Sequence, residues 1–131
     1  MKILFDTNVL VSAFTSHGQT FDIIKDAIYK HDVYCTDYIL SEFRQVLTKK
    51  FPQLSVRTKA LNLFVIERYF IHGVSASEIK SVSRDPEDDQ ILADALINQV
   101  DFLITSDKDL LGLKNHQSVR ILAPKDYWTL S

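Results

Sequence analysis

Two short hydrophobic segments of this chain each lead into an aspartate. Ile3-Leu4-Phe5 precedes Asp6 near the start, and residues 102–106 precede Asp107 near the end. Continuous apolar runs of this length are typical of strands buried on both faces of a parallel sheet. If both strands belong to one sheet, their aspartates meet at its carboxyl edge, where open α/β folds bind their ligands.

Strand-like and helix-like segments alternate along the chain, which predicts a central parallel sheet covered on both faces by helices. We expect about five strands, at residues 2–5, 31–35, 102–105 and 119–122 and, more weakly, within 74–82. A helix predicted over residues 55–70 is expected to end at Gly73. With 131 residues the chain can bury one sizeable core, so we expect residues 1–131 to form a single domain.

The composition indicates a soluble intracellular protein. Cys35 is the only cysteine, so an internal disulfide is excluded, and its apolar neighbours predict that it is buried. The sequence has neither the pattern of a signal peptide nor an uncharged apolar stretch of about 18 residues. We therefore expect a cytoplasmic protein without a membrane segment.

Charge is strongly segregated along the sequence, although the net charge is only −2. Residues 43–66 carry five basic residues and no acid, whereas residues 85–109 carry eight acids and a single lysine. An acidic pocket beside a basic flank suits the metal-assisted cleavage of a phosphate polyanion. Taken alone, the basic run is explained slightly better as the solvated faces of ordinary helices.

Further acids lie on predicted helices, at Glu42 and in the run 85–89. If these acids face the same crevice as the strand-end aspartates, they repel one another. Two carboxylates about 5 Å apart repel by roughly 3 kcal/mol at an effective dielectric constant of about 20. Such a cluster must either take up protons or bind a cation. Ligands that are all oxygen favour Mg²⁺ or Mn²⁺ over zinc.

Each acid also has a purely structural explanation. Asp6, Asp85 and Asp107 precede helices, where an aspartate commonly caps the free N–H groups. Glu42 lies on an amphipathic helix, which exposes glutamates routinely. Their joint occurrence at the ends of adjacent elements favours a shared site.

Four segments in order resemble the successive motifs of PIN-domain proteins, and most closely the VapC-like toxin components of type II toxin–antitoxin systems. The first follows a strand and is Asp6-Thr7-Asn8-Val9-Leu10, and the second is the helix segment 41–47 around Glu42. The third joins Asp85-Pro86-Glu87-Asp88-Asp89 to residues 92–96, and the fourth is residues 103–111. The resemblance covers essentially the whole chain.

The resemblance implies a three-layer α/β/α fold and a Mg²⁺- or Mn²⁺-dependent ribonuclease that cleaves single-stranded RNA. Carried over by position, the catalytic and metal-binding acids are Asp6, Glu42, Asp88 and Asp107. Asp88 fits the helix pattern better than Asp89, but a one-residue error would exchange them. The resemblance also implies that Asn8 and Thr105 orient water or ligands, and that Asp109 is a less essential acid.

The same resemblance implies partners beyond the RNA substrate. We expect a cognate antitoxin and a homodimer, with Arg44 and Lys49 as candidates to hold the RNA backbone. Four histidines lie outside the motifs, which argues against a histidine acid–base pair; they are His17, His31, His72 and His116. The sequence alone does not identify an aromatic residue on which a base would stack.

Two alternatives stay open at this point. Asp6 could be the nucleophile of a phosphatase or phospho-acceptor, although haloacid-dehalogenase-type enzymes carry a second aspartate where this chain has Asn8. The chain could also be a PIN-like binding module that has lost turnover. Because degenerate members usually lack one or more acids, the four intact acidic positions favour an active site.

Overall fold

The computed structural model describes residues 1–16 and 18–130 as alternating strands and helices. The strands are β1 (Lys2–Phe5), β2 (Asp32–Thr36), β3 (Ile71–Gly73), β4 (Phe102–Ile104), β5 (Asn115–His116) and β6 (Val119–Leu122). The helices are α1 (Thr7–Ser16), α2 (Gln19–Lys30), α3 (Asp37–Lys50), α4 (Val56–Tyr69), α5 (Pro86–Ile97) and α6 (Lys108–Leu113), and a 3₁₀ turn covers Pro124–Thr129. The predicted α/β architecture is confirmed.

The strands form one sheet in the order β3-β2-β1-β4-β6-β5, and all pairs except β5–β6 are parallel. The apolar run of the central strand β1 is fully buried, as predicted, because Ile3, Leu4 and Phe5 are all 0% exposed. Phe5 is in register with Ile104 of β4. Asp6 and residues 105–107 therefore leave the sheet side by side at its carboxyl edge.

The strand order determines which helices share a face of the sheet. From β1 the chain moves outward through β2 to β3, and it then returns past β1 to β4 and β6. Since parallel crossovers are right-handed, α1 to α4 cover one face, and α5 and α6 cover the other. The hydrophobic core lies between these layers, and Cys35 is buried in it as predicted.

The third strand differs from its prediction. It lies at Ile71–Gly73, and no strand forms within residues 74–82. Part of the reason is that carboxylates of α5 bind backbone N–H groups of this segment: Ala76 donates to Asp94 Oδ1 at 2.7 Å, and Val82 donates to Asp89 Oδ1 at 2.9 Å.

The role predicted for Gly73 is also wrong, because α4 already ends at Tyr69, with Phe70 as its C-cap. Gly73 instead lies in β3, where a Cβ atom would be 2.9 Å from the side-chain oxygen of Asn98. That amide binds both the N–H and the carbonyl of Val74. The glycine thus permits a close approach between the end of β3 and the end of α5.

A sixth strand adds to the five that were expected. The two-residue β5 pairs antiparallel with β6 through a tight turn at Gln117, whose φ is 53°. This turn contains neither glycine nor an Asn-Gly pair, the usual sequence signals of a hairpin. Among the described residues, none of the helices has both the length and the hydrophobicity needed to cross a membrane.

Candidate functional site

An acidic crevice of about 290 Å³ opens at the carboxyl edge of the sheet. It lies where β1, β4, α3 and the start of α5 meet, and carboxylates supply most of its polar lining. The acids that line it are Asp6, Glu42, Asp85, Glu87, Asp88 and Asp107. The four acids predicted from the sequence are therefore brought together in one crevice, and Asn8 lines it as well.

Asp6 lies at the floor of this crevice and is only 5% exposed. Its Oδ2 atom accepts a hydrogen bond from the Thr105 hydroxyl at 2.7 Å, and that hydroxyl oxygen accepts the N–H of Asp107 at 3.0 Å. Burial raises the pKa of Asp6 against the lowering effect of the Thr105 hydrogen bond. Thr105 thus fixes the orientation of one acid and the backbone beside another.

Glu42 reaches the crevice from the second turn of α3, a helix that Thr36 caps at its N-terminus. Its Oε1 atom accepts a hydrogen bond from the Thr7 hydroxyl at 3.0 Å. Burial raises the pKa of Glu42, the hydrogen bonds from Thr7 and Tyr38 lower it, and the charges of Glu87 and Asp6 raise it. These contacts fix the Glu42 carboxylate in the acidic crevice.

Asp88 and Asp89 are equally buried, at 6% exposed each, but they have different surroundings. Asp88 lines the acidic crevice, where burial and the charges of Asp107, Asp85 and Asp6 raise its pKa to about 6. Asp89 instead accepts hydrogen bonds from the N–H groups of Val82 and Ser83. The geometry therefore favours Asp88 as the acid of the site and gives Asp89 a structural role.

Asp107 has two roles in this geometry. Its Oδ1 atom accepts the N–H of Leu110 at 3.0 Å and so caps α6. This is the helix-capping role that its position before a predicted helix allowed. It also lines the crevice, and single carboxylate oxygens of Asp88, Asp107 and Asp109 lie within 4.8 Å of one another. Asp109 is more exposed and forms an ion pair with Arg84 at 2.7 Å.

The chemistry of these ligands fits a hard divalent cation. Within the described residues the crevice contains oxygen ligands from carboxylates, and none of His31, His72 or His116 lines it; His17 lies outside the described residues. Burial raises the pKa values of Asp6, Glu42 and Asp88, and the charges of neighbouring acids raise them further. A bound divalent cation would stabilise the charged form of these carboxylates and offset the repulsion between them, as a metal site requires.

Basic residues form one rim of the crevice. Lys49 and Lys50, from the last turn of α3, line it together with Gln45. Arg44 has a different position, since its guanidinium lies 3.5 Å from the carboxylate of Glu67 on α4 and it is not among the lining residues. Of the two basic candidates from the sequence, only Lys49 borders the crevice.

Sequence reasoning missed four residues that surround the acids. Thr7 and Tyr38 both hydrogen-bond to Glu42, and the charge of Glu87 contributes to the raised pKa values of Asp6 and Glu42. Lys50 shares the rim with Lys49. A signal existed for Thr7 and Lys50, which directly follow predicted site residues, and for Tyr38, which lies one helical turn before Glu42.

Comparison with known proteins gives a consistent family assignment. The family model of the PIN domain matches residues 2–109. A search of curated protein sequences gave no significant match. Several solved structures are similar in fold.

The first is VapBC2 from Rickettsia felis, solved bound to a DNA fragment from its promoter. It is 14% identical with a TM-score of 0.69, over 94% of this chain and 98% of that chain. VapC20 from Mycobacterium tuberculosis, a sarcin–ricin loop cleaving toxin, is 12% identical with a TM-score of 0.61. The similarity covers 90% of this chain and 98% of that chain. FitAcB from Neisseria gonorrhoeae is 18% identical with a TM-score of 0.61. The similarity covers 98% of this chain and 99% of that chain.

Proposed function

Because the chain belongs to the PIN-domain family, we propose that its acidic crevice is the active site of a metal-dependent endoribonuclease that cleaves single-stranded RNA. The observation that carries this proposal is the convergence of Asp6, Glu42, Asp88 and Asp107 on one crevice. Among the similar structures, VapC20 is a toxin that cleaves the sarcin–ricin loop, which is in keeping with RNA as the substrate.

Asp6, Asp88 and Asp107 would hold Mg²⁺ or Mn²⁺. Of these, Asp88 and Asp107 have carboxylate oxygens within 4.8 Å of each other, and Asp6 and Glu42 line the same crevice. A bound divalent cation supplies Lewis-acid stabilisation of the charge on a scissile phosphate and lowers the pKa of a water molecule. Thr105 keeps the Asp6 carboxylate in place through its hydrogen bond, and it fixes the start of the turn that carries Asp107. Burial raises the pKa of Glu42, which makes its carboxylate a better proton acceptor than that of an ordinary glutamate.

The remaining polar residues position the substrate. Lys49 and Lys50 would attract the phosphates that flank the cleaved bond, and Asn8 would orient water or a phosphate oxygen. Such contacts bind the backbone without reading its sequence. Without a cation, the carboxylates at the floor of the crevice repel the phosphates of RNA. RNA binding is therefore expected to depend on the metal as well as on the basic rim.

We propose further that the protein is the toxin of a toxin–antitoxin module and that it acts as a homodimer. The similarity in fold to VapBC2 and to the toxin VapC20 supports a toxin role. Expression of the chain alone should arrest bacterial growth, and the Asp6→Ala variant should not. Light scattering of the purified protein measures the number of subunits directly, and a monomer mass would contradict the dimer.

The test of activity is incubation with end-labelled single-stranded RNA or DNA in the presence of Mg²⁺, Mn²⁺ or chelator. We expect internal cuts in RNA with either metal, none with chelator, and none with Asp6→Ala. The matched control is Asp32→Ala, which removes an exposed aspartate at the opposite end of the parallel strands and should retain activity. Intact RNA under all conditions would contradict the nuclease proposal, and a phosphoryl group trapped on Asp6 would favour the phosphatase alternative.

A further inference from the structure

A second cleft, of about 410 Å³, opens at the same edge of the sheet as the acidic crevice. The start of α2, the β4–α6 turn and the C-terminal 3₁₀ turn form its walls. The lining residues that matter here are Gln19, Thr20, Ser106, Pro124, Lys125 and Trp128. Ser106 directly precedes Asp107 of the acidic crevice, and adjacent Cα atoms are about 3.8 Å apart. The two clefts are therefore neighbours that share this turn.

Trp128 presents an exposed aromatic surface in the second cleft. Its side chain is 55% exposed, although the residue before it is firmly anchored. Tyr127 is only 3% exposed, and its hydroxyl donates to Asp26 Oδ2 at 2.6 Å. The rings of Tyr127 and Trp128 meet edge to face, with their centroids 5.1 Å apart. Trp128 is thus held in place by its neighbour while much of its indole stays open to solvent.

The polar side chains that line this cleft with Trp128 have no partners within the described residues. The side chains of Gln19, Thr20 and Ser106 form no hydrogen bond there, and Lys125 forms no ion pair. Lys125 is also the one charged residue among the described residues that line the cleft. Isolated exposed apolar residues are ordinary on protein surfaces. An open indole beside a free cation and free hydrogen-bonding groups is instead the combination that binds single-stranded nucleic acid.

We propose that this cleft binds an unpaired base of the RNA substrate, a nucleotide or a few nucleotides from the cleaved bond. The base stacks on Trp128, Lys125 contacts a phosphate, and Gln19, Thr20 and Ser106 face the edge of the base. The position of the cleft beside Asp107 carries the argument, because RNA in the acidic crevice must continue past one of its ends. This inference rests on the proposed ribonuclease function and adds to it a site that holds bases. Trp128 and Lys125 lie outside the residues matched by the family model.

The first measurement uses the fluorescence of Trp128, which is the only tryptophan in the chain. The Glu42→Gln variant, which keeps the three proposed metal ligands but lacks the proposed proton acceptor, is titrated with single-stranded RNA in Mg²⁺, so that the substrate stays intact. We expect saturable quenching by RNA and much weaker quenching by an oligomer of the same length that lacks bases. Equal quenching by both oligomers would overturn the proposal, because the signal would then come from the backbone alone.

The second measurement compares kcat and KM for Trp128→Ala, Trp128→Phe and the wild-type protein. Stacking of a base on an aromatic ring corresponds to a change in affinity of about 5- to 150-fold, so Trp128→Ala should raise KM for a long RNA by that factor with kcat nearly unchanged. Trp128→Phe should restore most of the affinity. A dinucleotide too short to span both clefts should be cleaved equally well by all three proteins.

Tyr29→Ala is the matched control, because it removes an aromatic residue of α2 that is 89% exposed and lies outside both clefts. Its KM should equal that of the wild-type protein. If the wild-type protein cleaves RNA and Trp128→Ala has an unchanged KM, the base-binding cleft is wrong and the nuclease function stands. If the wild-type protein neither binds nor cleaves RNA, the proposed function itself fails.

Discussion

Replacement of Asp88 by asparagine should stabilise the metal-free protein while it removes activity. The Asp88 carboxylate is 6% exposed, and its pKa is raised from 3.8 to about 6, first by burial and then by the charges of Asp107, Asp85 and Asp6. At neutral pH the folded protein therefore holds a charge in a place that disfavours it. Asparagine has nearly the same shape and carries no charge.

The magnitude follows from the two pKa values. The difference between 3.8 and about 6 corresponds to at most about 3 kcal/mol, since each tenfold change in proton affinity is worth about 1.4 kcal/mol. Water at the mouth of the crevice screens part of this, so we expect about 1–2 kcal/mol. Because the folded state binds this proton more tightly than the unfolded state, the stability of the metal-free wild-type protein falls as pH rises from about 4 to about 6.

Thermal unfolding in chelator measures this effect. At pH 7.5 the Tm of Asp88→Asn should exceed that of the wild-type protein by about 3–8 °C, and the difference should shrink towards zero at pH 4. Asp89→Asn is the matched control and should lower Tm at pH 7.5, because Asp89 Oδ1 accepts the N–H groups of Val82 and Ser83 at 2.9 and 2.7 Å. An Asp88→Asn protein that is no more stable than the wild type at pH 7.5 would refute the electrostatic reasoning.

Three further variants test the roles of Thr105, the basic rim and Asp94. Thr105→Val removes the hydroxyl that orients Asp6, so kcat should fall by at least about tenfold and the free energy of unfolding by about 1–2 kcal/mol in urea titrations. The double variant Lys49→Ala, Lys50→Ala should raise KM, and the slope of log affinity for RNA against log salt concentration should become shallower by about 1.4. The control Lys114→Ala, which lies outside the crevice, should leave both KM and this slope unchanged. Asp94→Asn should lower the free energy of unfolding by about 1–3 kcal/mol, because this carboxylate is 0% exposed and accepts hydrogen bonds from Thr36, Ala76 and Gln90.

The fold was largely predictable from the sequence because its buried strands are continuous apolar runs. The run Ile3-Leu4-Phe5 is long enough to identify a central strand, and the aspartate after it then lies at the carboxyl edge. The segment 74–82 was harder to predict. It contains Val74 and Val82, but some of its backbone N–H groups bind Asp94 and Asp89, which are side chains from a helix later in the chain. Contacts of this kind depend on the tertiary structure and leave no local pattern.

The positions of the acids were predictable to within one residue, and the surrounding contacts were not. Asp88 and Asp89 are adjacent in sequence, and their side chains point about 100° apart on the helix. A one-residue error in the alignment of the motif therefore exchanges them, and the spacing alone could not exclude Asp89. The basic rim shows the same limit, because Arg44 is drawn to Glu67 on the neighbouring helix α4 while Lys49 and Lys50 remain at the crevice. Trp128 could not be linked to the site at all from the sequence, since its cleft joins residues more than a hundred positions apart.

A crystal structure of the protein with Mn²⁺, examined by anomalous diffraction, tests most directly whether the acidic crevice is a metal site. We expect an anomalous peak in the acidic crevice, bound by carboxylate oxygens of Asp6, Asp88 and Asp107, and its loss in Asp107→Asn crystals. An empty crevice at saturating Mn²⁺ in the wild-type protein would contradict the metal site, and with it the proposed mechanism of RNA cleavage.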